Sequence, residues 1–468
     1  MTRTVVPATY ALAVATVATG AANHALTGLV PALVDDLHLP LSTVGQLATA
    51  FGLASGLAAP IIGVLTAHWP RRRVLLAGLA LTIAGNALAA LAPDFGFLVA
   101  ARIISGLGSA AAMAAALGQA AELNAPERRA RAMAVVIGGL TIALATAPPL
   151  AALAAAHHGP TPVFVALTVL AVAALTVARA VLPVQVPETA PAQLAGRLRA
   201  VTIPGIRPVL AAKFLMAAAA FAVQTYLTAL ISTYSPAQML AAYGTGAVLG
   251  THLSGRAADR YSPRAAALTS IAIQTVTLTL WPVLGPTPAA VVLPFAAGIA
   301  FWSAQPAYVR HLADTARDQA PAVLAVDSAV TFAGMAAGGL IGAAQPVESF
   351  AVWLPVSCVS LSVAALGVLV FSGKNSFGVS VSSPARTVTS DTNTGMARPS
   401  LGLGRTDSVE APIKPETKRL FKQSCKAHKT NMTDVVNELI ENWLAENKVT
   451  VLPEQQALPL KDIERKAS

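Results

Sequence analysis

The sequence predicts an all-α membrane protein: about twelve transmembrane helices in two six-helix halves, then a disordered linker and a small cytoplasmic appendix. Three observations predict it. The 468 residues are 55% hydrophobic and only 12% charged, where a globular domain averages about 25% charged, and the mean hydropathy is +0.62. Twelve apolar runs of near bilayer-spanning length follow one another from Ala8 to about Phe371. Every second connection between them carries arginine.

The runs cover residues 8–34, 43–67, 74–92, 96–121, 132–156, 162–182, 208–232, 237–257, 265–284, 288–309, 321–343 and 350–371. About 20 helical residues cross a ~30 Å hydrocarbon core. Only helices and closed barrels satisfy the backbone in lipid, and the run lengths without period-2 alternation select helices. The first run is too long for a signal-peptide core and leads to Asp35 and Asp36, so it reads as the first span.

The arginine-bearing connections hold Arg71, Arg72 and Arg73; Arg128, Arg129 and Arg131; Arg197, Arg199 and Arg207; Arg256, Arg260 and Arg264; and Arg310 with Arg317. The connections near Asp35, Asp94, His157, Ser235, Pro286 and Gln345 carry neither Lys nor Arg. Lys/Arg excess marks cytoplasmic loops. With Arg3, the pattern places both termini in the cytoplasm of a multi-pass protein, expected in a bacterial inner (plasma) membrane. It also accounts for the net charge of +10 without invoking nucleic acid.

Residues 183–206, with Pro183, Pro187, Pro191 and Pro204, form the longest connection and divide the spans six and six. The halves are 1–182 and 207–372, as in an internal repeat. Small residues are dense in the spans, as at Gly106–Ala110 and Gly334–Gly342, and favour close helix packing in lipid. The two cysteines, Cys358 and Cys425, cannot make a disulfide framework and are expected as free thiols. There is no metal-ligand cluster, Walker motif or hydrolase elbow, so no metal, cofactor or enzymatic role is expected. An ATP-driven pump is disfavoured, leaving secondary transport.

Few polar residues lie at membrane depth: Asn23, His24, Arg102, Gln224, His252, Gln274, Gln305 and Asp327. A lone Asn or Gln there usually bonds a neighbouring helix. Asn23, Gln224, Gln274 and Gln305 are the candidates for a substrate cavity. Asp327 either accepts a proton from that cavity or lies near the cytoplasmic end and stays wet. Arg102 is either an intramembrane functional charge or an arginine snorkelling to the outer interface about two turns away.

The connection after the eighth span reads Gly255-Arg256-Ala257-Ala258-Asp259-Arg260-Tyr261-Ser262-Pro263-Arg264. It resembles the G-x-x-x-D-R-x-x-x-R loop of the major facilitator superfamily. Such a loop sets an acid among arginines at a membrane interface, a latch that rocking would break and remake; the alternative is a positive-inside turn with a helix cap. The matching loop of the first half, from Gly63 to Arg71, Arg72 and Arg73, keeps the spacing but has Ala67 for the acid and His68 for the first arginine. Gly28-Leu29-Val30-Pro31 with Asp36-Leu37, and Gly85-Asn86 with Leu91-Ala92-Pro93, are similar to the arabinose/drug efflux branch. Arg102 to Gly108 resembles the family's fourth-span motif, and Gly138 to Pro149 faintly resembles its antiporter motif.

The resemblance implies a monomeric transporter, residues about 8–372, that exports a drug, sugar or related metabolite against protons. Gly63, Arg71, Arg72, Arg73, Gly255, Asp259, Arg260 and Arg264 would form the latch loops. Arg102, Asp327 and His24 would be the proton-coupling candidates. An uptake permease of the same fold is the nearest alternative, and a membrane-tethered DNA-binding or partition-like fusion protein is another.

Beyond about residue 373 lysine replaces arginine. Residues 373–407 are rich in Ser, Thr, Gly and Pro, the composition of a disordered linker. Residues 409–447, with Phe421, Lys422, Cys425, Thr433 to Asn437, Leu439, Ile440 and Trp443, resemble a plasmid-partition-type ribbon-helix-helix domain. Its reading strand, Ser408 to Lys414, carries Glu410 and Pro412 where DNA should lie. The resemblance therefore implies dimerisation of segment 408–447 more than DNA binding, with 448–468 as a flexible tail. The two compositions suggest a gene fusion.

Overall fold

The computed structural model describes residues 5–66, 68–125, 128–183, 202–231, 233–258 and 262–371. Asp259, Arg260, most of the central loop, the linker, the ribbon-helix-helix-like segment and the tail lie outside the described residues.

Twelve long helices occupy the described residues. The first six are α1 (Ala8–Leu37), α2 (Leu41–Leu65), α3 (Arg71–Ala90), α4 (Phe95–Leu123), α5 (Arg129–His158) and α6 (Thr161–Val181). The second six are α7 (Ile206–Leu230), α8 (Pro236–Ala258), α9 (Pro263–Leu284), α10 (Val292–Ala316), α11 (Ala320–Ala343) and α12 (Phe350–Phe371). Eleven contain stretches long and apolar enough to cross a membrane, all but α8. Each expected span has its helix. Some ends differ from the apolar runs: α3 and α5 begin three residues earlier and take in Arg71 and Arg129, α2, α3 and α7 stop two residues short, and α10 continues to Ala316, because capping as well as apolarity sets a helix end. The Asp94 carboxylate, for example, accepts the Phe97 amide at 2.8 Å and begins α4. Ser262 accepts the Ala265 amide at 3.2 Å, with Pro263 opening α9.

The outward faces are apolar: Leu57, Ile142, Leu150, Val169 and Val276 are all exposed. A water-soluble protein would not present them; lipid is their solvent.

Packing repeats between the halves. In the first, α1 packs on α5, α2 on α4, α3 on α4 and α6, and α1 on α6. Shifted by six helices, the same pairs recur: α7 on α11, α8 on α10, α9 on α10 and α12, and α7 on α12. The halves meet through α2 against α11, α5 against α8, and α1 against α7. The first two seams are each other's images under that shift.

Two close approaches show how sequence builds these seams. A Cβ on Gly52 of α2 would lie 2.9 Å from both the Ala336 amide nitrogen and the Phe332 carbonyl oxygen of α11. Gly244 of α8 lies against Ala145 of α5, where a Cβ would come within 2.7 Å of the Ala145 Cα. Pro149 removes the intrahelical donor that the Ala145 carbonyl would otherwise receive. The proline pair in α5 thus coincides with a point of close interhelical contact.

Candidate functional site

Two clusters of buried polar and charged residues bear on function. The first cluster is central and spans both halves. Arg102 is 1% exposed on α4, so the snorkelling alternative is not realised. Its Cζ lies 4.5 Å from the centroid of the Phe51 ring of α2, and its Nη1 donates to the Ala22 carbonyl of α1 at 2.8 Å. Its Nε and Nη2 are buried without a protein partner.

His24 of α1 faces Gln224 of α7, with Nδ1 3.2 Å from the amide Nε2. The Tyr243 hydroxyl donates to Gln224 Oε1 at 3.4 Å. When the Gln224 amide donates to Nδ1, the ring proton lies on His24 Nε2. The His24 ring also meets Trp302 edge-on, centroids 6.3 Å apart. Asn23, His24, Thr27, Arg102, Gln224 and Thr225 help line a cavity of about 20 Å³, room for roughly one water. The halves are therefore closed on one another here. Thr49 of α2, donating to the Ala336 carbonyl of α11 at 3.1 Å, extends that closure toward the arginine-free end.

The second cluster lies in the second half, about two turns from the arginine-bearing end. Lys213 Nζ of α7 is 2.6 Å from both carboxylate oxygens of Asp327 on α11. Their side chains are 2% and 6% exposed, so Asp327 is buried rather than wet. The Tyr308 ring of α10 sits 5.8 Å from Nζ. At the corresponding crossing of α1 and α5, the Thr16 hydroxyl donates to the Val136 carbonyl at 2.7 Å. A neutral bond in one half thus corresponds to an ion pair in the other.

The structure brings Asn23, His24, Arg102 and Gln224 together. Gln274 instead donates to the Met216 carbonyl at 3.3 Å and the Ser362 hydroxyl at 3.1 Å, tying α9 to α7 and α12. Gln305 bonds the Phe301 carbonyl of its own helix at 3.4 Å. Neither lines the central cavity. His252 is exposed and bonds its own helix at Val248. Cys358 is a buried free thiol.

Among the latch residues, Arg71 pairs with Glu122 of α4. Arg72 donates to the Arg179 carbonyl of α6 at 2.6 Å, and Arg264 to the Leu369 carbonyl of α12 at 3.2 Å. Arg73 is exposed, and Gly63 and Gly255 lie within α2 and α8. The arginines thus fasten helix ends within each half. Sequence reasoning does not single out Lys213 as a site residue, although its being the only lysine before residue 373 was the available signal. It also passes over Phe51 and Tyr243, which only packing brings to Arg102 and Gln224.

Comparison with known proteins agrees with this architecture. A model of the Major Facilitator Superfamily matches residues 12–239, and a model of ParG matches residues 388–448. The uncharacterized MFS-type transporter YtbD of Bacillus subtilis (strain 168) is 27% identical over 344 residues, 72% of this chain and 87% of that one. The chloramphenicol resistance protein of Streptomyces lividans is 32% identical over 263 residues, 54% of this chain and 66% of that one. The crystal structure of the human organic anion transporter MFSD10 (TETRAN) superposes with a TM-score of 0.59 at 16% identity, covering 78% of this chain and 100% of that one.

Proposed function

We propose that this chain, which belongs to the Major Facilitator Superfamily, is a secondary active transporter that exports a small organic compound in exchange for protons. The single observation that carries the reading is the His24–Gln224 bridge beside Arg102. It is a polar contact between repeated halves, closed around a cavity at the middle of the bundle, as alternating access requires.

The positive-inside rule sets the arginine-bearing end in the cytoplasm of a bacterial inner membrane, with both termini there. Export then begins with substrate entering from the cytoplasmic side. Efflux is supported by the chloramphenicol resistance protein among the relatives. Substrate occupies the space between Asn23, His24, Arg102 and Gln224. Asp327 carries the coupling proton, with Lys213 as the counter-ion that Asp327 releases on protonation. Asp259, Arg260 and Arg264 latch the second half, while Arg71 to Arg73 brace the first. The appended segment, which matches ParG, acts as a dimerising module rather than a part of the transport path.

Everted vesicles holding the full chain, given an imposed pH gradient and a panel of organic compounds, test this reading. Accumulation of at least one compound that collapses with the gradient is expected. Flux that ignores the gradient would remove proton coupling, and no flux for any compound would remove transport.

A further inference from the structure

The surroundings of Arg102 bear on what the transporter takes, an inference that rests on the transport reading above. Arg102 is 1% exposed, yet two of its nitrogens, Nε and Nη2, have no protein partner. Among the described residues no carboxylate ion-pairs with it; the three ion pairs found there join other residues. Asp327, the one buried acid among those residues, is engaged by Lys213 at 2.6 Å. His24 Nε2 is likewise buried without a protein partner, and it carries the ring proton when Nδ1 accepts from the Gln224 amide. Both side chains line the same cavity. The site is thus rich in donors and carries a positive charge that no acid offsets.

We propose that Arg102 and His24 form a donor fork for substrate oxygen. The transported class is neutral or anionic compounds bearing nitro, carbonyl, carboxylate or sulfonyl oxygens, and organic cations are rejected. Stacking on Phe51 and the bond to the Ala22 carbonyl fix the guanidinium plane, leaving its other edge to meet two acceptor oxygens side by side. A cation in the same low-dielectric space would meet an unscreened like charge. The cavity holds about one water as it stands. Substrate entry therefore needs His24 and Gln224, 3.2 Å apart on opposite halves, to separate, which links occupancy to movement of the halves.

The test uses the purified full-length chain and intrinsic tryptophan fluorescence, titrated with chloramphenicol, 4-nitrobenzoate and tetraphenylphosphonium. The two oxygen-bearing probes are expected to bind and the cation to fail. Arg102→Lys keeps the charge without the fork and is expected to weaken both by about tenfold or more. His24→Leu, which leaves the buried arginine in place, is expected to weaken them less. Equal binding of tetraphenylphosphonium, no binding of either oxygen-bearing probe, or unchanged affinity in both variants would overturn the fork. Flux in vesicles separates the two ideas. Probes that bind the fork but are never moved defeat the transport reading alone. Compounds moved equally well by the wild type and both variants defeat the fork alone.

Discussion

Lys213 and Asp327, 114 residues apart in the chain, meet inside the second half with Nζ 2.6 Å from each carboxylate oxygen. Removing one member of a buried pair leaves an uncompensated charge and costs about 3–5 kcal/mol, whereas replacing both with apolar residues is often neutral. Asp327→Asn is therefore expected to lower the melting temperature of the purified protein. The double variant Lys213→Met, Asp327→Leu should recover most of that loss. Both variants should lose flux driven by a pH gradient if Asp327 carries the coupling proton. Unchanged coupling in Asp327→Asn would remove the residue from the proton path.

The helices were legible in the sequence and the pairing was not, for a physical reason. A span is a local property: length and apolarity decide it, so all twelve helices fall on their expected runs, the largest departure being the C-terminus of α10 at Ala316, seven residues beyond its run. Arg102 could be singled out because a charge in a span is costly, but its burial needed Phe51 and Ala22 from other helices. Lys213 with Asp327, and His24 with Gln224, depend on which helices become neighbours. Nothing in one span encodes that. Gln274 shows the converse: its composition suits a cavity, yet it bonds Met216 and Ser362 within its own half.

The seam between α2 and α11 is set by backbone, so it should respond to a single methyl group. A Cβ at Gly52 meets the Ala336 nitrogen and the Phe332 oxygen at 2.9 Å, and backbone atoms cannot swing aside as a side-chain tip can. Gly52→Ala is expected to cost about 1–3 kcal/mol and to populate conformations in which the seam is parted. Thr49→Cys, placed where Thr49 now bonds the Ala336 carbonyl, reports this in a Cys425→Ser background. Labelling by a membrane-impermeant maleimide should rise when Gly52→Ala is added; equal labelling would show that the seam does not govern access.

Not every ion pair should matter. Arg71 and Glu122 also pair, but their side chains are 42% and 41% exposed. Water screens such pairs, and their net worth is about 0–1 kcal/mol. Glu122→Gln is expected to change stability by less than about 1 kcal/mol, in contrast to Asp327→Asn. A loss as large as that of Asp327→Asn would mean that the α3–α4 end is a stressed joint of the transport cycle rather than a fastening.

Deleting residues 373–468 separates the two modules of the chain. Every contact described for the central cavity and the Lys213–Asp327 pair is made by residues before 372, and the ParG match begins at residue 388. The deleted protein is therefore expected to insert and to move the same compounds at rates close to those of the full chain. If residues 408–447 act as a dimerising module, the full chain should elute as a dimer in detergent and the truncated chain as a monomer. Loss of transport in a stably inserted truncation would instead tie the appendix to the transport cycle. Unchanged elution would leave the appendix without the dimerising role that its resemblance to a ribbon-helix-helix domain implies.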